Sequence, residues 1–165
     1  MIHRYLILWI NDLLDQLKGT KYLSKIDLKF GYHQVPIEPI DVWNPTFKSK
    51  EGLFKLLIIP FGLINAPTSF MRLMDDILWP FTNSFVVVYL DNILIFRKSL
   101  EEHLQQIRHV LQTLQRHKIC ANLEKCTFGM SQVQYLGYII DEKGMHVDPT
   151  NIQVIQVWST LTTLT

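Results

Sequence analysis

The chain has 165 residues, with 16 Lys+Arg against 15 Asp+Glu and a formal net charge of +1. At 48% hydrophobic and 19% charged, with seven Gly and seven Pro, it is too apolar for a disordered tail or a collagen-like chain, and it has the size of one ordinary domain or part of a larger one. A charge of +1 supplies no long-range field to concentrate phosphate, so any nucleic-acid role must rest on a local groove. Cys120 and Cys126 lack both the dense spacing of a secreted disulfide framework and the His pair of a zinc site, which places the chain in a reducing intracellular compartment, cytoplasmic or nuclear. Met1 to Ile10 is apolar, but it carries His3 and Arg4, is too short to span a bilayer and has no small-residue cleavage site.

In chain order, Ile10, Leu13, Leu14 and Leu17 recur at helical spacing and stop at Gly19, which predicts a short amphipathic helix with a glycine C-cap. Tyr22 to Leu28 follows as a strand. Thr46 to Lys50, the turn Glu51-Gly52 and the run Leu53 to Ile59 read as a β-hairpin ended by Pro60. Asn65 before Ala66-Pro67 puts a capping side chain ahead of a first-turn proline, and Phe70, Leu73, Met74, Ile77 and Leu78 line one face of a helix ending near Pro80. Phe85 to Leu90 and Ile93 to Phe96 are separated by Asp91-Asn92 alone, the strongest hairpin signal in the chain. Ser99 with Glu102 has the pattern of a capping box, and Leu100, Leu104, Ile107, Leu111 and Leu114 follow at helical steps. Val133 to Ile140 and Met145 to Val147 flank the turn Asp141 to Gly144 as a further hairpin. Asp148-Pro149 then opens a last helix.

This mixed order predicts an α+β layer, an antiparallel sheet with helices packed on one face. Dinucleotide-binding, P-loop and nucleophile-elbow motifs are absent from the sequence, which removes the common nucleotide-binding and hydrolase readings. Asp91 sits at the tip of a hairpin whose arms are Val, Ile, Leu and Phe, where Asp-Asn also serves as ordinary turn chemistry. A second acid, Asp27, lies between apolar neighbours in the first strand. If the two strands are adjacent in one sheet, the carboxylates converge, which is how hard oxygen ligands for Mg²⁺ are assembled.

The segments Leu23-Ser24-Lys25-Ile26-Asp27-Leu28, Gly31-Tyr32-His33-Gln34, Pro60 to Phe70 and Tyr89 to Phe96 closely resemble the successive motifs of reverse transcriptases from gypsy-type LTR retrotransposons. Glu102-His103-Leu104, Leu123-Glu124-Lys125-Cys126 with Phe128, Tyr135-Leu136-Gly137 and Val147-Asp148-Pro149 extend the match over nearly the whole chain. The resemblance implies a polymerase palm: about residues 1–21 as the end of the fingers region, 22–148 as the palm core and 149–165 as the start of a connection. It implies that Asp27 and Asp91 hold two Mg²⁺ ions, with Mn²⁺ as a substitute, for nucleotidyl transfer onto a primer 3′-hydroxyl. It places Tyr32 where the family excludes a 2′-hydroxyl, Phe61, Gly62 and Asn65 where it meets template and nucleotide, Lys125 near the pyrophosphate end, and Leu136 and Gly137 in the primer grip. The implied partners are an RNA or DNA template with its primer, dNTPs, and the rest of a polyprotein (fingers, connection, ribonuclease H, integrase), with no membrane.

The chain departs from that family at one telling position. Where the family has two consecutive acids after Tyr-x, this sequence has Asp91-Asn92. An amide keeps one carbonyl oxygen but loses a full negative charge beside two dications, which predicts an impaired enzyme. Leu6, Leu8, Trp9, Asn11, Ile64, Asn92, Ser159 and Leu161 all stand where a single C-to-T or G-to-A transition would convert the family's usual residue. That pattern suggests an element copy decaying by cytosine deamination, and the alternative function is a non-catalytic nucleic-acid-binding remnant.

Overall fold

The computed structural model describes residues 16–29, 34, 46–58, 66–82 and 84–157. Gln16 and Leu17 are helical and Gly19 takes the left-handed φ of +75° expected of a C-cap, whereas Ile10, Leu13 and Leu14 lie outside the described residues. The strands are β1 Tyr22–Asp27, β2 Thr46–Ser49, β3 Gly52–Lys55, β4 Val86–Tyr89, β5 Asn92–Arg97, β6 Thr127–Met130, β7 Val133–Tyr135, β8 Tyr138–Asp141 and β9 Gly144–Val147. Three helices, α1 Ala66–Thr82, α2 Leu100–Arg116 and α3 Pro149–Val157, and a 3₁₀ turn at Leu123–Lys125 complete the described elements.

The central sheet has the order β4-β5-β1-β6, and every pairing in it is antiparallel. Alternation along its strands divides the core in two. Ile26, Val86, Val88, Ile93 and Ile95 face Phe70, Met74 and Leu78 of α1 and Ile107, Val110 and Leu114 of α2. Leu23, Val87, Leu94 and Phe96 face the other way, against Leu17 and the β7–β8–β9 sheet through Val133, Tyr135 and Ile140. Helices therefore cover one face, as predicted, while a second sheet covers part of the other. Burial on both faces explains why β4 and β5 read as unbroken apolar runs instead of alternating with polar residues.

Four local expectations need correction. α1 continues through Pro80 to Thr82, because a proline in the last turn removes a single backbone donor and the chain stays helical around it. The buried stripe of α2 is His103, Ile107, Val110 and Leu114, and Leu100 and Leu104 face solvent, so the helix is rotated from the all-leucine face. Ser99 is the N-cap but makes no side-chain cap bond, and Glu102 instead reaches Arg97 Nε at 4.0 Å. The run Val133 to Ile140 is two strands, folded back at Leu136-Gly137, where consecutive positive φ values of 52° and 80° make a tight hairpin turn. Beyond these, β6 was not expected, since its four residues are all exposed on the sheet edge and carry no burial pattern.

Candidate active site

The β1–β5 register pairs Tyr22 with Arg97 at one end and Asp27 with Asn92 at the other, so the first acid arrives at the mouth of the β4–β5 hairpin. Just beyond that last pair, the Leu28 amide donates to the Asp91 carbonyl at 2.8 Å, which ties the two acidic residues' backbones together. The condition set by the sequence, adjacent strands, is met. Asp27, Asp91 and Asn92 are all half-buried. Alternation puts Asp27 and Asn92 on the same sheet face as Leu23, Val87 and Leu94, which is the face shared with β7–β9.

The turn itself differs from the expected one by one residue. Tyr89 pairs with Asn92, so the two connecting residues are Leu90 and Asp91, and Asn92 begins β5. Leu90 carries the positive φ, 52°, at the first turn position, where glycine is usual and a γ-branched side chain is strained by about 1 kcal/mol or more. Its amide points at Met71 Sδ, 3.0 Å away on α1, which helps hold the turn in that conformation. The Asn92 amide nitrogen donates to Asp91 Oδ1 at 2.9 Å. An aspartate there would present a second negative charge to the same oxygen instead of a donor.

On its other edge Asp27 is held by the segment around the 3₁₀ turn. The Asn122 amide donates to the Asp27 carbonyl at 2.7 Å, and the Asp27 amide points to Cys126 Sγ at 3.4 Å. The Cys126 thiol in turn donates to the Asn122 carbonyl at 3.2 Å. Lys125 is exposed on that turn, in a segment that packs against β1. Cys120 and Cys126 are both free.

Tyr135, fully buried at the end of β7, sends its hydroxyl to the Asn92 carbonyl at 3.3 Å. Burial pushes its phenol well above the ordinary value, with the proximity of Tyr89 and Asp91 adding to the shift. The C-terminal sheet is thereby fastened to the acidic hairpin, and the Leu136-Gly137 turn that follows Tyr135 is exposed. Of the other predicted positions, Tyr32, Phe61, Gly62 and Asn65 lie outside the described residues. Gln34, from the same motif as Tyr32, is described. Its side-chain oxygen accepts from the Cys120 amide at 2.5 Å, and its amide group donates to the Cys120 carbonyl at 3.0 Å and to the Lys29 carbonyl.

Deeper beneath β1, the Ser24 hydroxyl accepts from the Gly129 amide at 2.9 Å and shares a hydrogen bond of 2.8 Å with His103 Nε2. The His103 ring is fully buried and Nδ1 has no partner among the described residues. Burial lowers its pKa, since an imidazolium would bring a second donor into a place with nothing to accept it. Tyr135, Cys126 and His103 fall in segments that carry the resemblance, but the sequence carries no signal for these contacts. Each acts through a contact with a residue distant in sequence.

Two half-buried carboxylates and an amide oxygen are hard donors, the chemistry that suits Mg²⁺ or Mn²⁺. Among the described residues there is no cluster of three or more His, Cys, Asp or Glu that could enclose a metal on its own. The arrangement fits an ion whose remaining coordination comes from water and phosphate.

Comparison with known proteins gives a family and a fold. Residues 2–140 match the family described as reverse transcriptase (RNA-dependent DNA polymerase). The retrovirus-related Pol polyprotein from transposon opus of Drosophila melanogaster is 36% identical over 146 residues, 88% of this chain and 15% of that protein. The Tf2-7 polyprotein of Schizosaccharomyces pombe is 37% identical over 149 residues, 90% of this chain and 11% of that protein. The chain therefore spans 11 to 15% of the length of these curated relatives. Among solved structures, a foamy viral protease-reverse transcriptase in complex with double-stranded DNA superposes with a TM-score of 0.81 at 26% identity, over 94% of this chain and 27% of that one. The same enzyme type in complex with an RNA/DNA hybrid gives 0.75 at 24% identity, over 88% and 20%.

Proposed function

Because this chain belongs to the reverse transcriptase (RNA-dependent DNA polymerase) family, we propose that it forms the palm of a retroelement polymerase that adds deoxynucleotides to a primer 3′-hydroxyl, in a copy weakened by Asn92. The pairing of Asp27 with Asn92 beside Asp91 is the observation that carries this reading. In it, residues 22–148 are the palm core, the preceding 21 residues end a fingers region, and 149–165 begin a connection. The partners are a primed RNA or DNA template and dNTPs, with fingers, connection, ribonuclease H and integrase elsewhere in the parent polyprotein.

Asp27 and Asp91 would hold Mg²⁺, which when bound lowers the pKa of the 3′-hydroxyl and offsets phosphate charge. The protein's own share is to fix two carboxylates on a rigid sheet end. Strand pairing on one side and the Asn122 and Cys126 contacts on the other keep Asp27 from moving with solvent. Leu90, at positive φ between Tyr89 and Asp91, fixes the turn that places Asp91 at the hairpin end. Asn92 donates to Asp91 and so occupies one of the oxygens a cation needs. It also supplies no charge of its own. We assign Tyr32, Phe61, Gly62 and Asn65 to the nucleotide and template side, Lys125 to the pyrophosphate side, and Leu136 and Gly137 to the primer.

Removing one electrostatic stabiliser costs about 3 kcal/mol, on the order of a hundredfold in rate. Primer extension on oligo(dT)-primed poly(rA) with dTTP and Mg²⁺ tests this directly. Asn92→Asp is expected to raise the rate on the order of a hundredfold and Asp27→Asn to abolish it. The amide-to-carboxylate hydrogen bond favours a second reading, a duplex-binding remnant without catalysis. Silence from both the chain and Asn92→Asp, with duplex binding retained, would establish that reading instead.

A further inference from the structure

The turn between β7 and β8 is held from outside its own hairpin. Leu136 and Gly137 both have positive φ, and Leu136 extends an exposed apolar side chain from the tip. The Gly137 carbonyl accepts two bonds from the start of α3, from Asn151 Nδ2 at 3.1 Å and from the Asp148 amide at 3.3 Å. A Cβ on Gly137 would come within 3.2 Å of Asn151 Nδ2, so the glycine allows this close approach as well as the backbone angle. Asp148 is buried and its carboxylate is fully engaged. Oδ1 accepts from the Thr150 amide at 2.9 Å and the Thr150 hydroxyl at 2.7 Å, and Oδ2 accepts from Gln134 Nε2 on β7. One residue further along β7, Tyr135 is bonded to the Asn92 carbonyl.

From these contacts we propose that Asn151 and Asp148 are positioning residues that set the Leu136-Gly137 turn, and with it a primer's 3′ end, at a fixed distance from Asp91. This rests on the reading of that turn as a primer contact. The logic is a frame closed on two sides. Tyr135 ties the leading strand of the turn to the acidic hairpin, while Asp148, through Gln134, and Asn151, through Gly137, tie the same strand and its turn to the first turn of α3. Without the second tie the turn keeps its own hairpin bonds but loses its fixed direction. Asn151 itself touches neither substrate nor acid.

The test uses the full chain with a primer–template duplex carrying 2-aminopurine at the primer 3′ terminus. Asn151→Ala removes the donor, and Asn151→Asp keeps the size while replacing the donor with an acceptor. Both change an exposed side chain and spare the Asp148 cap, so folding is preserved where Asp148→Ala could lose it. Amide exchange in the 133–141 segment is expected to quicken about fivefold while β1 and β5 are unchanged. Overall duplex affinity, set by phosphate contacts, should stay within about twofold. The terminal fluorescence response should fall by at least about half, matching loss of a fixed turn. Faster exchange with an unaltered terminal response would make the contacts merely structural and overturn the proposal. Failure of the unsubstituted chain to bind duplex would overturn the primer-contact reading, and this inference with it.

Discussion

The hairpins β2–β3 and β4–β5 share a two-residue connection and differ in nearly everything around it. In β2–β3 all eight paired residues are exposed, and the main side-chain contact is the stack of Phe47 on Phe54, 5.5 Å between centroids and 20° between planes. In β4–β5, seven of the ten strand residues are buried, between α1 and α2 on one face and the β7–β9 sheet on the other. Only the second hairpin carries a non-glycine residue forced to positive φ at its tip. Strain of that kind persists where packing over-determines the backbone, and the same packing makes the tip a rigid place to hold charge. A hairpin resting on one aromatic pair has no such reserve.

Two truncations separate the hairpins most sharply. Ile95→Ala, in the β4–β5 core, is expected to cost about 2–5 kcal/mol in denaturant unfolding, and Phe54→Ala less than about 1 kcal/mol. Equal losses would mean that the two hairpins are supported alike. A smaller effect concerns the tip. Asn92→Asp deletes the donor to Asp91 and sets two carboxylates side by side, lowering stability in EDTA by about 1–2 kcal/mol. Added Mg²⁺ should restore that loss in thermal melts, whereas the unsubstituted chain should respond less.

The smallest effect is on pH, and its sign follows from burial. His103 is held below its ordinary 6.5 in the fold, so the unfolded chain binds a proton that the native ring refuses. Stability should therefore be full above that value and fall as pH drops through it. Asp148 is also shifted downward, but because its charged form is favoured: bonds from the Thr150 hydroxyl and amide, then Gln134, hold it below 3.8. Its contribution is present above 3.8 and is lost only as pH falls further. Urea midpoints at pH 7.5, 5.5 and 3.0 separate the two, and His103→Gln should flatten the first step alone.

That the strand carrying Asp27 lies beside the hairpin tipped by Asp91 was legible because both are apolar runs broken by a single acid-bearing position, and such runs have few places to go but one sheet. The turn was displaced by one residue for a related reason. Strands buried on both faces carry no alternation to fix register, so Asp-Asn looked like the turn when Leu90-Asp91 forms it. His103 was missed because a polar residue inside a leucine-rich helix reads as surface, although here Ser24 gives it a buried partner. The split at Leu136-Gly137 was hidden inside an apolar run. The supports supplied by Cys126, Tyr135 and Asn151 are contacts between distant segments, which periodicity cannot register. Among the described residues no helix is long and apolar enough to cross a membrane.

In the proposed function, Asp27 and Asp91 together form a divalent cation site weakened by Asn92. Titrating Mn²⁺ into the chain and counting free ion by electron paramagnetic resonance tests it without requiring catalysis. Affinity is expected to rise about tenfold or more in Asn92→Asp, by the added charge, and to disappear in Asp27→Asn and in Asp91→Asn. Unchanged Mn²⁺ binding in both of the last two variants would show that the two acids do not form the site.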